Sequence, residues 1–316
     1  MEKINRNNSV TSGVFAVTVF SLVGVACWAG STGSEKPRDD GPTTVYTPNA
    51  STDNTNKKDQ NTNMTNSKVT AKGFSANLPS SFRYPTDEAG KLLLKEYGSV
   101  FVARGGVTPP NTVVFKDQAE VTSFQNSLKT STESLGGFSL ELQAAAMDDL
   151  KKAIADARSA GVSVSPRDKD SAKRSYDETI ELWASRVDPA LKHWVGKGKM
   201  TQAQADKLKA LTPYEQVPEV LKLETQGIYF AKDLSKSIIY SVAPPGTSQH
   251  LSMLALDVKE HEDPKVRDIL AKNGWYQTVK SDLPHFTYLG VSESELEKLG
   301  LKKVTDDGRT FWIPEI

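Results

Sequence analysis

The chain has 316 residues, which is enough for one or two domains. Its 39 basic and 39 acidic residues balance to a formal net charge of zero, so composition indicates neither a nucleic-acid partner nor a membrane surface bound by charge. The single cysteine, Cys27, excludes an internal disulfide, and only four histidines are available as metal ligands: His193, His250, His261 and His285.

The N-terminal residues have the pattern of an export signal. Lys3 and Arg6 precede an uncharged stretch whose dense apolar part, residues 14–29, is shorter than the ~20 residues of a spanning helix. Residues 24–27 partly resemble a lipobox, in which Cys27 becomes a lipidated first residue. A cleaved signal peptide, an uncleaved anchor and lipidation all remain open. Residues 1–29 are predicted to export the protein to the cell envelope or periplasm and to tether it to the membrane.

Residues 30–73 are rich in Asn, Thr, Ser, Asp and Lys, and they contain few apolar side chains. Such a segment cannot bury enough apolar surface to offset the conformational entropy lost on folding. We therefore predict a disordered tether.

Regular structure is predicted to resume with a small α+β subdomain over residues 74–136, to which no chemistry is assigned. A helix with acidic residues in its first turn and a second helix flank two short apolar runs, which are typical of strands. The helices are expected at 86–97 and 119–128, and the strands at 99–102 and 112–115.

The middle of the chain is predicted to be mostly helical. Apolar residues recur at three- and four-residue spacing over 142–160, and a short strand follows at 162–164. Further helices are expected at 171–193, where Pro189 could interrupt the helix, and at 201–211 and 213–223.

The C-terminal part alternates short strands with short helices. The strand at 254–258 is apolar on both faces except for Asp257, and a lone carboxylate there is costly unless it is paired or bound to a metal. The remaining elements are expected as a helix at 264–271, paired strands at 275–279 and 285–289, a helix at 292–299 and a hairpin of 301–304 with 310–313.

Three side chains in this part form a candidate metal site. His250 precedes the buried strand, Asp257 lies in it, and His285 begins the strand expected to pair nearby. Two imidazoles and a carboxylate with a fourth position open are what a hydrolytic zinc site needs. Histidines that serve only a structural role are the alternative.

The stretch around these residues resembles a known signature. Ser248, His250, Ala255 and Asp257 match in register the Ser-x-His-x-x-Gly-x-Ala-x-Asp signature of the zinc D-Ala-D-Ala peptidases, with Met253 in place of the glycine. That family includes the vancomycin-resistance D,D-carboxypeptidases and shares its fold with lysostaphin-type enzymes and hedgehog domains. The resemblance implies an α+β fold in which a small antiparallel sheet carries the zinc site and helices pack on it.

A second stretch resembles the family's Glu-x-Trp-His. His285 matches, whereas Asp282 replaces the glutamate and Pro284 replaces the tryptophan. The resemblance implies that Asp282 is the general base that reaches the zinc-bound water. Because aspartate is one methylene shorter than glutamate, the carboxylate of Asp282 is displaced from that position unless the backbone comes closer. Both a working peptidase and a noncatalytic zinc protein remain open at this position.

A third segment, at residues 174–176, resembles the family's Ser-Gly-Tyr-Arg-Ser-Tyr-x-x-Gln, with Thr179 where glutamine is usual. The three segments occur in the family order, and the resemblance covers roughly residues 140–314. Residues 137–316 are thus expected to form a D,D-peptidase-like domain, with a helical insertion at 192–234.

The resemblance implies a role for each matching residue. Arg174 would hold the substrate's terminal carboxylate or polarise the scissile carbonyl, and Arg167 is its rival. The implied zinc ligands are His250, Asp257 and His285, the implied catalytic residues are Asp282 and Arg174, and the implied substrate-binding residues are Arg174, Ser248 and Tyr288.

The function implied is a zinc-dependent peptidase that cleaves D-Ala-containing peptide stems of peptidoglycan, as a carboxypeptidase or an endopeptidase. One alternative is a noncatalytic zinc-containing module that binds the cell wall. Another is a purely structural metal, which the three-ligand set disfavours because structural zinc sites usually have four protein ligands.

Overall fold

The computed structural model describes residues 73–316. The predicted signal or anchor, the tether and Cys27 therefore lie outside the described residues, apart from the tether's last residue. Eight α-helices occur in the described part: α1 (Phe74–Asn77), α2 (Glu88–Tyr97), α3 (Gln118–Asn126), α4 (Ala144–Ser159), α5 (Tyr176–Gly196), α6 (Gln202–Lys209), α7 (Pro213–Glu224) and α8 (Pro264–Lys272). None of the described helices is both long and apolar enough to cross a bilayer.

Seven short strands form three antiparallel sheets within residues 73–316, so the described chain is a mixed, α+β arrangement. Two of the sheets are hairpins, and the third has the order β3-β5-β4. The strands are β1 (Thr130–Leu135), β2 (Phe138–Gln143), β3 (Ala255–Asp257), β4 (Trp275–Tyr276), β5 (His285–Tyr288), β6 (Leu301–Asp306) and β7 (Arg309–Pro314).

The helices predicted from apolar periodicity and capping residues are confirmed for α2, α3, α4, α6, α7 and α8. Thr201 and Thr212 each begin a helix with a reciprocal capping box, and Asp263 accepts a hydrogen bond from the backbone N–H of Lys265. The paired strands β4 and β5 and the final hairpin are also confirmed, although β4 and β5 are shorter than predicted.

Helix α5 begins later than predicted and is not interrupted. Ser175 caps it with Glu178, and the backbone before the cap bonds to other elements: the N–H of Asp257 donates to the Ser171 carbonyl, at 2.8 Å. Pro189 lies inside α5, and the helix continues past it because its apolar side is buried on both sides of the proline.

Several predicted elements are wrong. The apolar run at 99–102 belongs to a buried 3₁₀ helix, Gly98–Val102, because a short run buried on all sides carries no periodicity that separates strand from helix. Residues 112–115 form only one isolated bridge, and 162–164 form no strand. The expected helix at 292–299 is a pair of 3₁₀ turns.

The hairpin of β1 and β2 was not predicted from the sequence. Its strands are rich in Ser, Thr and Glu, so the alternation of apolar residues is weak, and its turn lies at Gly136 and Gly137. The main apolar core draws on residues before and after this turn, including Leu93, Met147 and Trp275. The hairpin and the core therefore join residues 74–136 to the rest of the described chain.

A candidate metal centre and its cleft

The sheet register brings the three predicted metal ligands together. Asp257 of β3 pairs directly with His285 of β5, and His250 comes from a 3₁₀ turn that ends just before β3. The residue after that turn, Met253, has a φ of 58° in the left-handed region. A glycine adopts this conformation without strain, and the resembling signature has glycine at this position.

The side chains of the three residues converge on one point. His250 Nε2 and His285 Nδ1 each lie 3.3 Å from Asp257 Oδ1, and ligand atoms of the three residues all lie within 4.8 Å of one another. All three residues are buried. Within residues 73–316 this is the one cluster of His, Cys, Asp and Glu side chains that could hold a metal ion.

The hydrogen bonds of the two imidazoles leave a lone pair on each ring facing Asp257. His250 Nδ1 donates to the carbonyl oxygen of Ala172, at 2.6 Å. His285 Nε2 donates to Gln249 Oε1, at 2.9 Å, and Gln249 Nε2 donates to the Tyr97 carbonyl, which fixes the orientation of the amide. A neutral imidazole has a single N–H group, so each ring uses its N–H in the bond just described and its other nitrogen carries a lone pair. Two lone pairs and a carboxylate oxygen therefore meet with no hydrogen between them.

Such a group of acceptors suits a cation. Burial lowers the pKa of His250, which disfavours an imidazolium and leaves the neutral ring that a metal requires. Zinc bonds to N and O ligands at ~2.0–2.1 Å, and the edge of a tetrahedron of that size is ~3.3 Å, in agreement with the two 3.3 Å separations. The donor set and its two nitrogen–oxygen separations thus fit zinc.

Gln249 is a buried residue of the centre that the sequence did not reveal. Its Oε1 accepts from both His285 Nε2 and Thr287 Oγ1, and its amide nitrogen is bonded to Tyr97 O and Thr278 Oγ1. Partners of this kind fix the tautomer and the orientation of a ligating histidine. No feature of the sequence marks it, except its place directly before His250.

Arg174 reaches the centre but is already paired there. Its Nη2 donates to Asp257 Oδ2 at 2.9 Å, and its Nε donates to the Asp170 carbonyl at 3.1 Å. Its side chain is 18% exposed and lines a cleft that also contains the three candidate ligands. The rival Arg167 also lines the cleft, with a side chain that is 55% exposed. In this structure Arg174 therefore orients Asp257.

Asp282 lies in the turn that leads into β5 and lines the same cleft. The backbone N–H of His285 donates to the Asp282 carbonyl at 3.1 Å, and that of Val258 donates to the carbonyl of Pro284, the last residue of the turn, at 2.8 Å. The Asp282 side chain is half-buried and has no hydrogen-bond partner among residues 73–316. It is not one of the three residues whose ligand atoms converge.

Besides Arg174, the other two predicted substrate-binding residues differ in position. Ser248 is buried and lines the cleft. Tyr288 lies elsewhere: its hydroxyl donates to Asp149 Oδ2 at 2.6 Å, and burial raises its pKa. Side chains alternate along a strand, so Tyr288 points away from the face that carries His285 and Thr287. The structure does not bring Tyr288 to the cleft.

The cleft has a volume of about 590 Å³ and the three candidate ligands lie in its wall. Helix α5 forms one side, and the loops around residues 167–170, 241–243 and 279–282 complete it. Charged and polar side chains predominate in the lining, which suits a polar ligand.

No protein-family model and no curated protein matches the chain. Among solved structures, the chain is similar to a mutant of VanY, a vancomycin-resistance D,D-pentapeptidase from a VanB-type resistance cassette, in complex with Zn(II). The identity is 18%, the TM-score is 0.29, and the match covers 52% of this chain and 82% of the other. The likeness is remote.

Proposed function

We propose that the protein is a zinc-dependent peptidase that cleaves D-Ala-containing peptide stems of peptidoglycan. The proposal of zinc is supported by one observation: two imidazole lone pairs and Asp257 Oδ1 converge in a buried wall of an open cleft. The choice of substrate is supported by the match of Ser248, His250 and Asp257 to the D-Ala-D-Ala peptidase signature.

His250, Asp257 and His285 would hold the zinc, and the residues around them keep these ligands ready. When bound, zinc supplies a Lewis acid that polarises a carbonyl and lowers the pKa of a water molecule to ~7. Ala172 O and Gln249 Oε1 keep each imidazole in the tautomer that presents a lone pair. Arg174 holds Oδ2 of Asp257, which leaves Oδ1 for the metal.

Asp282 is the residue on the cleft wall suited to move protons. Its carboxylate has no partner among residues 73–316, so it is available to accept a proton from the attacking water and to return it to the leaving amine. The hydrogen bonds made by Asp282 O and Pro284 O fix the turn relative to β5 and Val258. We infer that this fixed turn lets the shorter aspartate serve where the resembling family has glutamate.

The location follows from the substrate. Peptidoglycan lies outside the cytoplasmic membrane, and the basic and apolar N-terminal pattern predicts export. We propose that residues 1–29 direct the protein to the cell envelope and anchor it there. If Cys27 carries a lipid, Cys27→Ala should release the protein from membranes, whereas unchanged retention would favour an uncleaved helix.

The test is incubation of the zinc-loaded protein with purified muropeptides, followed by mass spectrometry of the products. Loss of one D-Ala indicates a carboxypeptidase, and separation of crosslinked stems indicates an endopeptidase. A zinc-loaded protein that cleaves no muropeptide but binds sacculi would be a noncatalytic cell-wall-binding module, and this proposal would then be wrong.

A further inference from the structure

The cleft continues well beyond the metal ligands, along one face of α5. Glu178, Leu182, Ser185 and Arg186 all line it, at the spacing that places side chains on one side of a helix. Glu178 lies at the end near the candidate metal ligands, because its carboxylate accepts hydrogen bonds from Ser175, which follows Arg174. At 1.5 Å per residue, Arg186 lies ~12 Å further along the helix axis.

The guanidinium of Arg186 is held in place by two hydroxyl groups. Its Nε donates to Ser241 Oγ at 3.0 Å, and its Nη1 donates to Ser185 Oγ at 2.9 Å. Ser185 in turn donates to the Leu182 carbonyl at 2.6 Å, and Ser241 Oγ also accepts from the Lys232 N–H at 3.4 Å. The side chain is half-buried and oriented by groups that carry no charge.

No carboxylate neutralises this arginine among residues 73–316. Asp188, two residues along α5, pairs with Lys209 at 2.9 Å, and Asp257 of the candidate metal centre pairs with Arg174. Glu181 also lines the cleft but does not come within 4.0 Å of Arg186, which belongs to no ion pair of the described chain. Three arginines line the cleft: Arg174 pairs with Asp257 and Arg167 lies 4.0 Å from an oxygen of Asp168, whereas Arg186, at the far end, has no ion-pair partner among residues 73–316.

We propose that Arg186 forms an anion subsite that binds a free carboxylate of the substrate, two to four residues from the scissile bond. This inference rests on the proposed peptidase function and narrows it to acidic peptide stems longer than a dipeptide. An extended peptide spans ~3.3–3.6 Å per residue, so ~12 Å corresponds to three or four residues, and the arginine side chain shortens the span. A guanidinium fixed at Nε and Nη1 retains Nη2 for the carboxylate.

The test compares two synthetic pentapeptides that end in D-Ala-D-Ala and differ only at the second residue, a D-glutamate whose α-carboxylate is free or amidated. The wild-type protein should have a kcat/KM about tenfold higher for the acid, as a charge-assisted hydrogen bond of ~1.5 kcal/mol provides. Arg186→Gln should lower this ratio towards one. Arg186→Lys should retain part of it, since lysine keeps the charge but loses the planar fork.

Arg158→Gln is the matched control, because Arg158 is an exposed residue at the end of α4 that does not line the cleft. It should keep the wild-type ratio. Zinc content and melting temperature verify that each variant is folded. An Arg186→Gln protein that is folded and keeps the full preference for the acid would overturn the proposal.

Failure of the peptidase function can be separated from failure of the subsite. If the wild-type protein cleaves neither peptide, calorimetric titration with the same two peptides measures the subsite directly. Tighter binding of the acid, lost in Arg186→Gln and kept in Arg158→Gln, supports the subsite without any turnover. Equal affinity of the wild-type protein for both peptides would contradict it.

Discussion

Two buried carboxylates in this molecule have opposite surroundings. Glu224, at the end of α7, accepts hydrogen bonds from the backbone N–H of Ile238 at 2.7 Å, from that of Phe230 at 3.1 Å and from the Ser237 hydroxyl. Asp257 receives Arg174 on one oxygen, but its other oxygen faces two imidazole lone pairs. The first carboxylate has donors on both oxygens within the described chain, whereas the second has a donor on one oxygen only.

The electrostatics of the two sites follow the same division. Burial raises the pKa of Glu224, and its three hydrogen bonds offset this only in part. Asp257 is buried as well, but Arg174 donates to one of its oxygens while the other faces two imidazole nitrogens that carry no hydrogen, so only one of its oxygens has a donor within the described chain. A buried carboxylate such as Glu224, whose oxygens both accept hydrogen bonds, stabilises a loop. A buried carboxylate such as Asp257, whose oxygen faces other hydrogen-bond acceptors, indicates a binding site.

The largest expected effect concerns a third carboxylate, Asp282, which has no partner among residues 73–316. Asp282→Asn should lower kcat on muropeptides by ~10²–10⁴, because the amide cannot take a proton, while zinc content stays unchanged. Asp282→Glu should also lower activity if the turn fixed by Pro284 suits the shorter side chain. Higher activity in Asp282→Glu would instead indicate a decayed site.

Removal of the satisfied carboxylate should destabilise the fold without affecting the metal. Glu224→Ala leaves two backbone N–H groups and the Ser237 hydroxyl without an acceptor, at a cost of about 2–4 kcal/mol in the free energy of unfolding. Chemical denaturation measures this loss. Zinc content should remain at the wild-type value, and its loss would mean that the two carboxylates are coupled.

Substitution of Gln249 tests whether the tautomer of His285 affects zinc binding. Gln249→Met removes the acceptor of His285 Nε2 and should weaken zinc binding ~10–100-fold, as measured by competition with a chelator. Gln277→Met is the matched control, since Gln277 is equally buried but contacts no candidate ligand. If both variants bind zinc as the wild type does, Gln249 has no role in the centre.

The smallest effect is the pH dependence due to Glu224. Because its folded-state pKa is raised, its contribution to stability is fully present below the ordinary value of 4.5 and is lost as pH rises through the raised pKa. Glu224→Gln cannot titrate. The free energy of unfolding of the wild type, relative to that of Glu224→Gln, should therefore fall as pH rises from about 4.5. A constant difference would show that the carboxylate is not perturbed.

The sequence predicted the elements and residues whose pattern is local. Capped helices and the strand that carries Asp257 were predicted, because periodicity and capping residues are read within a few positions. The convergence of His250, Asp257 and His285 was predicted from their register with a known signature.

Features that depend on tertiary structure could not be predicted in this way. Gln249 and Arg186 follow no motif, and their roles arise from partners that are distant in sequence, such as Tyr97 and Ser241. The resemblance gives the order of residues along the chain but not the face of a strand, and the Tyr288 side chain lies on the face away from the cleft. The run at 99–102 was mistaken for a strand because complete burial removes periodicity.

The central claim is that the buried acceptors bind zinc, and metal content tests it most directly. After loading with zinc and dialysis against metal-free buffer, the wild-type protein should retain one zinc per chain. His193→Ala should retain it as well, since His193 lies near the end of α5 and does not line the cleft. His250→Ala, Asp257→Ala and His285→Ala should each lose it. Stoichiometric zinc in all three of these variants, or no zinc in the wild type, would contradict the account.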